Sequence, residues 1–423
     1  MVSDGRVRPE SPIGEGDRPQ GAVVGQGRRV GPADHPASRA GPPPQRAHRE
    51  DLAVRWAIAG FGWVARDYFA PALAEAGGRL AAVADPSRSA RAAAEALGAA
   101  AHIEPSAAIA HADALYVATP NHLHRAPVVA ALEAGVPVLC EKPMAASAAD
   151  ARAIADSARR TGTLYGTAFD QRWHPVHQRM AALVAAGAIG RATAVRILYC
   201  CWLGPDWGPD NWRADPEAAG GGAVIDLAPH GLDLVHALLG EPVAELDICL
   251  QRRVHAYAVE DGGLLMGATA SGVLVQAHVA YNCPEALPRR RLEVVGTEGA
   301  LFAENSMGQT PGGVLTRICG RTGTAETVAV PNRSPFAVQI EAFHKAMRSV
   351  SPRSRIAELD RAQTGGGAPG AARGACGPLT TVGERGGPPP RAEPQEGERA
   401  FSAERDLALT RLLFEAYGRA RCR

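Results

Sequence analysis

The chain has 423 residues, of which 46% are hydrophobic, and its 45 basic and 44 acidic side chains give a net charge of +1. This balance excludes a generally cationic protein that coats nucleic acid. No stretch approaches about 18 uninterrupted apolar residues, so we predict no membrane span, no signal peptide and a cytoplasmic location. The eight cysteines lack metal-ligand spacing, so no metal site is predicted.

Glycine and proline divide the chain into ordered and disordered segments. Residues 1–51 show no apolar period and are rich in both, which predicts a disordered N-terminal extension. Residues 351–402 have the same character and are predicted to be a disordered, low-complexity segment. A short amphipathic stretch, residues 403–421, then predicts a C-terminal helix.

The segment between the two disordered stretches changes its pattern once. In residues 52–171 short apolar runs alternate with alanine-rich helical stretches, which predicts an α/β dinucleotide-binding domain with a doubly wound parallel sheet of the Rossmann type. In residues 172–350 alternating strands joined by turns surround one long helix. This pattern predicts an α+β domain with a large and mostly antiparallel sheet.

A glycine-rich loop follows the first predicted strand and opens a helix. It has the G-x-G-x-x-A pattern, formed by Gly60, Phe61, Gly62, Trp63 and Ala65. The first glycine permits a tight turn, and the second lets backbone N–H groups approach phosphates at the positive end of the helix. We therefore predict a pyrophosphate-binding loop. The simpler alternative is an ordinary tight turn.

An acidic residue stands at the end of the next predicted strand. Asp85 is placed to accept a hydrogen bond from a ribose 2′-hydroxyl, and it favours NAD over NADP because a carboxylate repels a 2′-phosphate. Ser87 and Arg88 follow directly and offer contacts to such a phosphate, so NADP stays open.

Polar residues end the fourth and fifth predicted strands, where ligands bind in open α/β sheets. Thr119 and Asn121 end the fourth strand, and Glu141 and Lys142 end the fifth. Lys142 is one of only two lysines in a chain with 43 arginines. A retained lysine indicates a role for a compact ammonium, although a steric reason is the alternative.

Asp226 and His230 are four residues apart in the long predicted helix, so both side chains lie on one face. A carboxylate beside an imidazole orients the ring and raises its basicity, which predicts a general base with its orienting group. The alternative is a capping aspartate followed by a packed histidine.

Tryptophans and polar residues cluster just before this helix. Aromatic faces flanked by polar groups suit a sugar or polyol, although the tryptophans can instead close a loop over the domain boundary. The cluster contains Trp202, Asp206, Trp207, Asp210, Asn211, Trp212 and Arg213, of which Trp212 and Arg213 are candidate substrate contacts.

These motifs together resemble the glucose-fructose oxidoreductase / inositol dehydrogenase / MocA family of NAD(P)-dependent oxidoreductases. The resemblance rests on Glu141-Lys142-Pro143, on the glycines from Gly220 followed by Asp226-x-x-x-His230, and on Thr119-Pro-Asn-His, and it covers about residues 52 to 350. Ala65, at the third glycine position of the loop, departs from the family pattern.

The resemblance implies roles for further residues. Asn121 and Glu141 are expected near the nicotinamide ribose, and Arg172 is expected to line the substrate pocket. The family also implies that residues 172–350 form the domain for substrate and oligomer contacts, and that the protein is a homo-oligomer, either a dimer or a tetramer.

The predicted function is hydride transfer between nicotinamide and a hydroxyl-bearing carbon of a sugar, cyclitol or similar small molecule. Lys142 stabilises the reacting oxygen, His230 accepts the proton and Asp226 orients His230 in this hypothesis. Two alternatives remain, an NAD-dependent glycoside hydrolase and a non-catalytic dinucleotide sensor.

Overall fold

A computed structural model describes residues 53–204, 211–349 and 400–422. The predicted disordered segments, residues 1–51 and 351–402, lie outside the described residues, apart from residues 400–402.

The first sheet confirms the predicted doubly wound Rossmann architecture. Its six strands are parallel and lie in the order β3-β2-β1-β4-β5-β6, so the order reverses between β1 and β4. This reversal opens a crevice at the carboxyl ends of the strands, where dinucleotides bind in such sheets. The strands are β1 (Val54–Ala59), β2 (Gly78–Ala84), β3 (Ala100–His102), β4 (Ala114–Val117), β5 (Val138–Glu141) and β6 (Tyr165–Ala168).

Helices connect these strands and cover both faces of the sheet, because β1, β4 and β6 are apolar on both sides. They are α1 (Ala70–Glu75, after a π-helical turn over Ala65–Phe69), α2 (Arg88–Ala96), α3 (Pro105–Ile109), α4 (Arg125–Glu133) and α5 (Ala148–Thr161). Short 3-10 turns at Asn121–Leu123 and Asp170–Trp173 follow β4 and β6.

The second sheet has nine strands in the order β14-β13-β12-β11-β7-β10-β9-β8-β15. The pairs β7/β10 and β8/β15 are parallel and the other pairs are antiparallel, which confirms the predicted mostly antiparallel sheet. The strands are β7 (Ala192–Cys200), β8 (Val243–Gln251), β9 (Gly262–Thr269), β10 (Leu274–Ala280), β11 (Arg290–Gly296), β12 (Gly299–Glu304), β13 (Val314–Cys319), β14 (Ala325–Val328) and β15 (Arg421–Cys422).

One long helix packs on the inner face of this sheet and carries the predicted base. It is α8 (Ala223–Leu239), preceded by α6 (Pro175–Ala185), a 3-10 turn (Trp212–Ala214) and α7 (Pro216–Ala219). The Glu260 carboxylate accepts hydrogen bonds from the backbone N–H groups of Gly222 and Val224, both at 2.9 Å. This cap satisfies donors at the start of α8 and fixes its position above the Rossmann sheet.

The last two helices return to the first domain. Helix α9 (Pro335–Ser349) lies against β1, where Trp56 Nε1 donates to His344 Nε2 at 2.9 Å. Helix α10 (Ala403–Arg419) carries Asp406, whose Oδ2 accepts from the Thr167 N–H at 2.9 Å. The two domains are therefore joined by packing as well as by the chain. None of the described helices has both the length and the apolar character needed to cross a membrane.

Candidate active site

The glycine-rich loop has the shape that a pyrophosphate requires. Gly60 has a φ of +84°, and a Cβ at this position would lie 2.7 Å from both the Ala118 oxygen and the Thr119 nitrogen. Only glycine fits between this turn and the end of β4. A Cβ on Gly62 would instead meet no atom within 4 Å, so the space above the loop is open at the start of the helical segment.

Asp85 braces this loop from the end of β2. Its Oδ2 accepts from the Phe61 N–H and its Oδ1 from the Ser87 N–H, both at 2.7 Å. Each carboxylate oxygen keeps a second lone pair, so the side chain can still accept from a ribose hydroxyl. The Thr119 hydroxyl across the crevice is buried and has no hydrogen-bond partner among the described residues. An open loop, an acceptor and an unpaired hydroxyl fit a dinucleotide.

Asn121 joins the Rossmann domain to the segment before α8. Its buried amide donates to the Ala219 oxygen at 2.8 Å. The neighbouring His124 ring lies between the backbone oxygens of Thr119 and Pro143, and burial lowers its pKa to about 4. Asn121 therefore fixes the seam beside the predicted nicotinamide ribose site.

Lys142 and Asp226 meet across the two domains. Lys142 Nζ donates to Asp226 Oδ1 at 2.5 Å and to the Asp226 backbone oxygen at 2.9 Å. Burial favours a raised pKa for the Asp226 carboxyl, but the charges of Lys142 and Arg213 hold it well below its usual range. Tyr281 donates to Asp226 Oδ2 at 2.8 Å. The carboxylate thus fixes the ammonium in place.

Glu141 lies beneath this pair. One carboxylate oxygen accepts from the Tyr116 hydroxyl and the other from the Lys142 N–H at 3.2 Å. Burial raises the pKa of Glu141, and the Lys142 charge opposes that rise. Glu141 therefore supports the backbone that carries Lys142, at the edge of the crevice.

The expected contact between Asp226 and His230 is not what the structure shows. His230 Nδ1 lies 3.2 Å from Asp170 Oδ1, although the two groups are not aligned as a hydrogen bond. The two side chains of α8 do share one face, but the hydrogen bonds of the Asp226 carboxylate go to Lys142 and Tyr281. Its charge still favours the protonated form of His230, while Asp170 is the carboxylate within ion-pair distance of the ring.

Burial determines the charge state of this second pair. The His230 side chain is 5% exposed, and burial lowers its pKa well below the usual value, so the ring is neutral. Burial, with help from the Glu141 charge, raises the pKa of Asp170 to about 7. Tyr199 packs edge-on against His230, with ring centroids 5.7 Å apart. A neutral imidazole next to the Lys142 ammonium can accept a proton.

Arg172 pairs with a carboxylate of α8, and its contact with a substrate stays a prediction. Its guanidinium forms a two-pronged ion pair with Asp233 of α8, with Nε 2.8 Å from Oδ2, and the Asp233 side chain is buried while that of Arg172 is 11% exposed. The pair fastens the 3-10 turn after β6 to the helix. An isolated buried aspartate is unfavourable in free energy. The positive charge of Arg172 therefore neutralises Asp233 instead of a substrate group.

Trp212 and Arg213 lie together in the turn before α7. The Arg213 guanidinium carbon is 4.4 Å from the Trp212 ring centroid, and its charge helps to lower the pKa of Asp226. These two candidates are therefore near the Lys142 pair. Trp202 packs edge-on against His255 at 5.0 Å. Asp206, Trp207 and Asp210 lie outside the described residues.

Several residues of the site carried no sequence signal. Asp170, Tyr199 and Tyr281 come from three separate elements, and each meets α8 only in the folded chain. Among the residues that the structure describes, no group of His, Cys, Asp or Glu side chains could hold a metal ion.

Comparison with known proteins identifies the family. Residues 54–169 match the oxidoreductase family with an NAD-binding Rossmann fold, and residues 177–302 match the GFO/IDH/MocA C-terminal domain. The chain is 33% identical over 300 residues to 1,5-anhydro-D-fructose reductase of Ensifer adhaerens, covering 69% of this chain and 88% of that protein. The chain belongs to the GFO/IDH/MocA family. This confirms the predicted family and the assignment to oxidoreductases that bind NAD or NADP.

Other members of the GFO/IDH/MocA family match over similar lengths. Inositol 2-dehydrogenase 1 of Saccharopolyspora erythraea is 32% identical over 341 residues, covering 77% of this chain and 89% of that protein. A 3-ketoreductase from Actinomadura kijaniata, solved with NADP and TDP-benzene, has a TM-score of 0.66 at 22% identity and covers 88% and 98% of the two chains. Levoglucosan dehydrogenase, solved with NADH and levoglucosan, has a TM-score of 0.64 at 22% identity and covers 71% and 91%. The two solved structures support the fold.

Proposed function

We propose that this protein is an NAD(P)-dependent dehydrogenase or reductase that interconverts a hydroxyl-bearing carbon and its ketone on a sugar, cyclitol or similar small molecule. The ion pair between Lys142 and Asp226, at the seam between the dinucleotide loop and the sheet domain, carries this proposal. The relatives named above, which act on sugars and inositol, support the substrate class.

The Rossmann crevice supplies the cofactor contacts. The loop from Gly60 to Trp63 cradles the pyrophosphate, Asp85 accepts from the adenosine ribose, and Thr119, Asn121 and Glu141 line the nicotinamide end. When bound, the nicotinamide accepts or returns a hydride. Asp85 favours NAD, because its carboxylate group, held against the loop by the Phe61 N–H, repels a 2′-phosphate.

The chain's own residues handle the proton and the charge. Lys142 Nζ, fixed by Asp226 and Tyr281, donates to the reacting oxygen and stabilises negative charge there. His230 Nδ1 is buried without a hydrogen-bond partner among the described residues and faces Asp170, so Nε2 is the ring nitrogen left to accept the hydroxyl proton. The charge of Asp226 favours the protonated form of His230, and Asp170 Oδ1 lies 3.2 Å from Nδ1 on the other side of the ring from the accepting atom.

The function is tested by cofactor binding and turnover together. Thermal shift with NAD and NADP should show stabilisation, larger with NAD. Absorbance of reduced nicotinamide across a panel of sugars, polyols and glycosides should then rise with at least one substrate. Cleavage of a glycoside without net reduced nicotinamide would indicate a hydrolase, and binding without any turnover would indicate a sensor.

Asp170→Asn is expected to change how stability depends on pH. The pKa of Asp170 is about 7 in the folded protein and about 4 in an unfolded chain, so its contribution to stability is full below about pH 4 and is lost as pH rises to about 7. Wild type should therefore lose on the order of 1 kcal/mol per pH unit, relative to the variant, between about pH 5 and 7. Denaturant unfolding at several pH values measures this, and parallel curves for the two proteins would contradict it.

We also propose a homo-oligomer formed through the outer face of the nine-stranded sheet, and a cytoplasmic location. Apolar side chains on β9, β10 and β13 are exposed on this sheet, with Met266 57% and Leu274 64% exposed. Such patches mark protein interfaces.

The cytoplasmic proposal rests on the free thiols of six described cysteines.

Charges placed on this face should dissociate the oligomer. The double variant Met266→Glu, Leu274→Glu is expected to run as a monomer in size-exclusion chromatography with light scattering, because two buried carboxylates are costly at an interface. Leu97→Glu is the control, since Leu97 is 58% exposed but lies beside α2 of the other domain. An unchanged mass for the double variant would show that this face is not the interface.

A further inference from the structure

Arg290 points into the proposed active site from the sheet. It is the first residue of β11 and pairs in register with Tyr199 of β7, so the two side chains share the inner face. Leu292, two residues on, is fully buried on that face, while Arg291 points outward and pairs with Glu293 at 2.9 Å. Arg290 is therefore the cross-strand neighbour of Tyr199, whose ring packs on His230.

Among the described residues, no carboxylate pairs with the Arg290 guanidinium. None of the ion pairs within the described residues includes it, and its Nε is shielded from solvent without a hydrogen bond. It lies against the backbone of Gly308, where an added Cβ would be 2.4 Å from Nη1. A partly buried cation without a counter-charge is unfavourable, so the site is suited to an anion that arrives with a ligand.

The charge of Arg290 reaches both sides of the cleft. Burial and the Asp170 charge raise the pKa of Tyr199, and Arg290 opposes that rise. Arg290 has the same opposing effect on Tyr68, in the π-helical turn that follows the glycine-rich loop. The Arg290 charge thus acts on one tyrosine of the sheet and on one tyrosine of the dinucleotide-binding domain.

Resting on the proposed dehydrogenase activity, we propose that Arg290 binds an anionic substituent of the substrate, so that the enzyme prefers a sugar acid or a sugar phosphate to the neutral sugar. The planar guanidinium fork matches both carboxylate and phosphate oxygens, which is the chemistry the two substrate types share. Lys142 and His230 act on the hydroxyl-bearing carbon, and Arg290 selects the substrate by its charge.

Calorimetric titration of the full-length enzyme saturated with NADH tests this inference without requiring turnover. The probes are D-glucose, D-glucuronate and D-glucose 6-phosphate, with the same three forms of the galactose series. Wild type should bind at least one anionic form about 10- to 100-fold more tightly than its neutral parent, as expected for a charge-assisted hydrogen-bonded pair. The carboxylate and phosphate arms then show which anion fits.

Arg290→Gln should abolish this preference and leave the affinity for the neutral parent within about twofold. Arg291→Gln, on the opposite face of the same strand, is the matched control and should keep the preference. If Arg290→Gln does not fold, Arg290→Lys should retain part of the preference, and added salt should weaken binding of the anionic form, but not of the neutral parent, to wild type and Arg290→Lys.

Three results would overturn the inference. They are equal affinity of wild type for neutral and anionic forms, an undiminished preference in Arg290→Gln, and a loss of NADH affinity in that variant with unchanged sugar selectivity. If the anionic sugars bind through Arg290 but none is turned over with any cofactor, the inference stands and the proposed dehydrogenase function fails.

Discussion

Lys142→Met is expected to lower kcat by about 10²- to 10⁴-fold and to leave the Kd for NAD within a few-fold. The reason is the position of Nζ, which Asp226 holds at 2.5 Å at the seam of the two domains, away from the glycine-rich loop. Steady-state kinetics and calorimetric NAD titration measure the two quantities. Methionine keeps most of the side-chain volume and removes the charge.

The chain offers a matched control for this substitution. Lys345 is the only other lysine in the sequence, and it is exposed on α9. Lys345→Met should retain wild-type kcat. Because Lys142→Met leaves the Asp226 carboxylate buried without its cation, thermal unfolding should accompany the kinetics. A folded Lys142→Met variant with kcat near that of wild type would refute the assigned role.

Gly60→Ala is expected to lower both the unfolding free energy and NAD binding, whereas Gly62→Ala is expected to lower only the affinity for NAD. A Cβ at Gly60 clashes with the end of β4 and requires a left-handed backbone, so we expect a loss of about 2–5 kcal/mol in unfolding free energy together with lost NAD binding. A Cβ at Gly62 meets no protein atom. This variant should keep its stability within about 0.5 kcal/mol and still bind NAD about tenfold more weakly, because the methyl group fills the phosphate space.

Denaturant unfolding and NAD titration of the two variants separate these effects. Equal stability losses would show that the open space over Gly62 is absent in solution. Unchanged NAD affinity in a folded Gly62→Ala variant would show that the dinucleotide does not approach this loop.

The sequence predicted what depends on local pattern. The alternation of strands and helices predicts the parallel sheet. Because the carboxyl ends of parallel strands lie at one edge, the sequence also places Asp85, directly after β2, at the dinucleotide crevice. The spacing of Asp226 and His230 correctly places both on one face of α8. The identity of each partner is not local, however, because ion pairing with Lys142 sets the direction of the Asp226 carboxylate.

The remaining differences have the same physical origin. Arg172 pairs with Asp233, and Asp170 approaches His230, through contacts between residues about 60 apart in the chain. A single sequence shows charge and spacing but not which buried charges neutralise each other. Arg290 illustrates the point, because its outward neighbour Arg291 looks the same in the sequence and lies on the opposite face.

Transfer of a label tests the central claim most directly. Substrates from the sugar panel, deuterated at the carbon-bound positions, are incubated with NAD and the enzyme, and the reduced dinucleotide is analysed by mass spectrometry. We predict that wild type yields reduced dinucleotide carrying one deuterium and that Lys142→Met yields almost none. Reduced dinucleotide without deuterium, or no reduced dinucleotide with any sugar of the panel, would contradict the proposed hydride transfer.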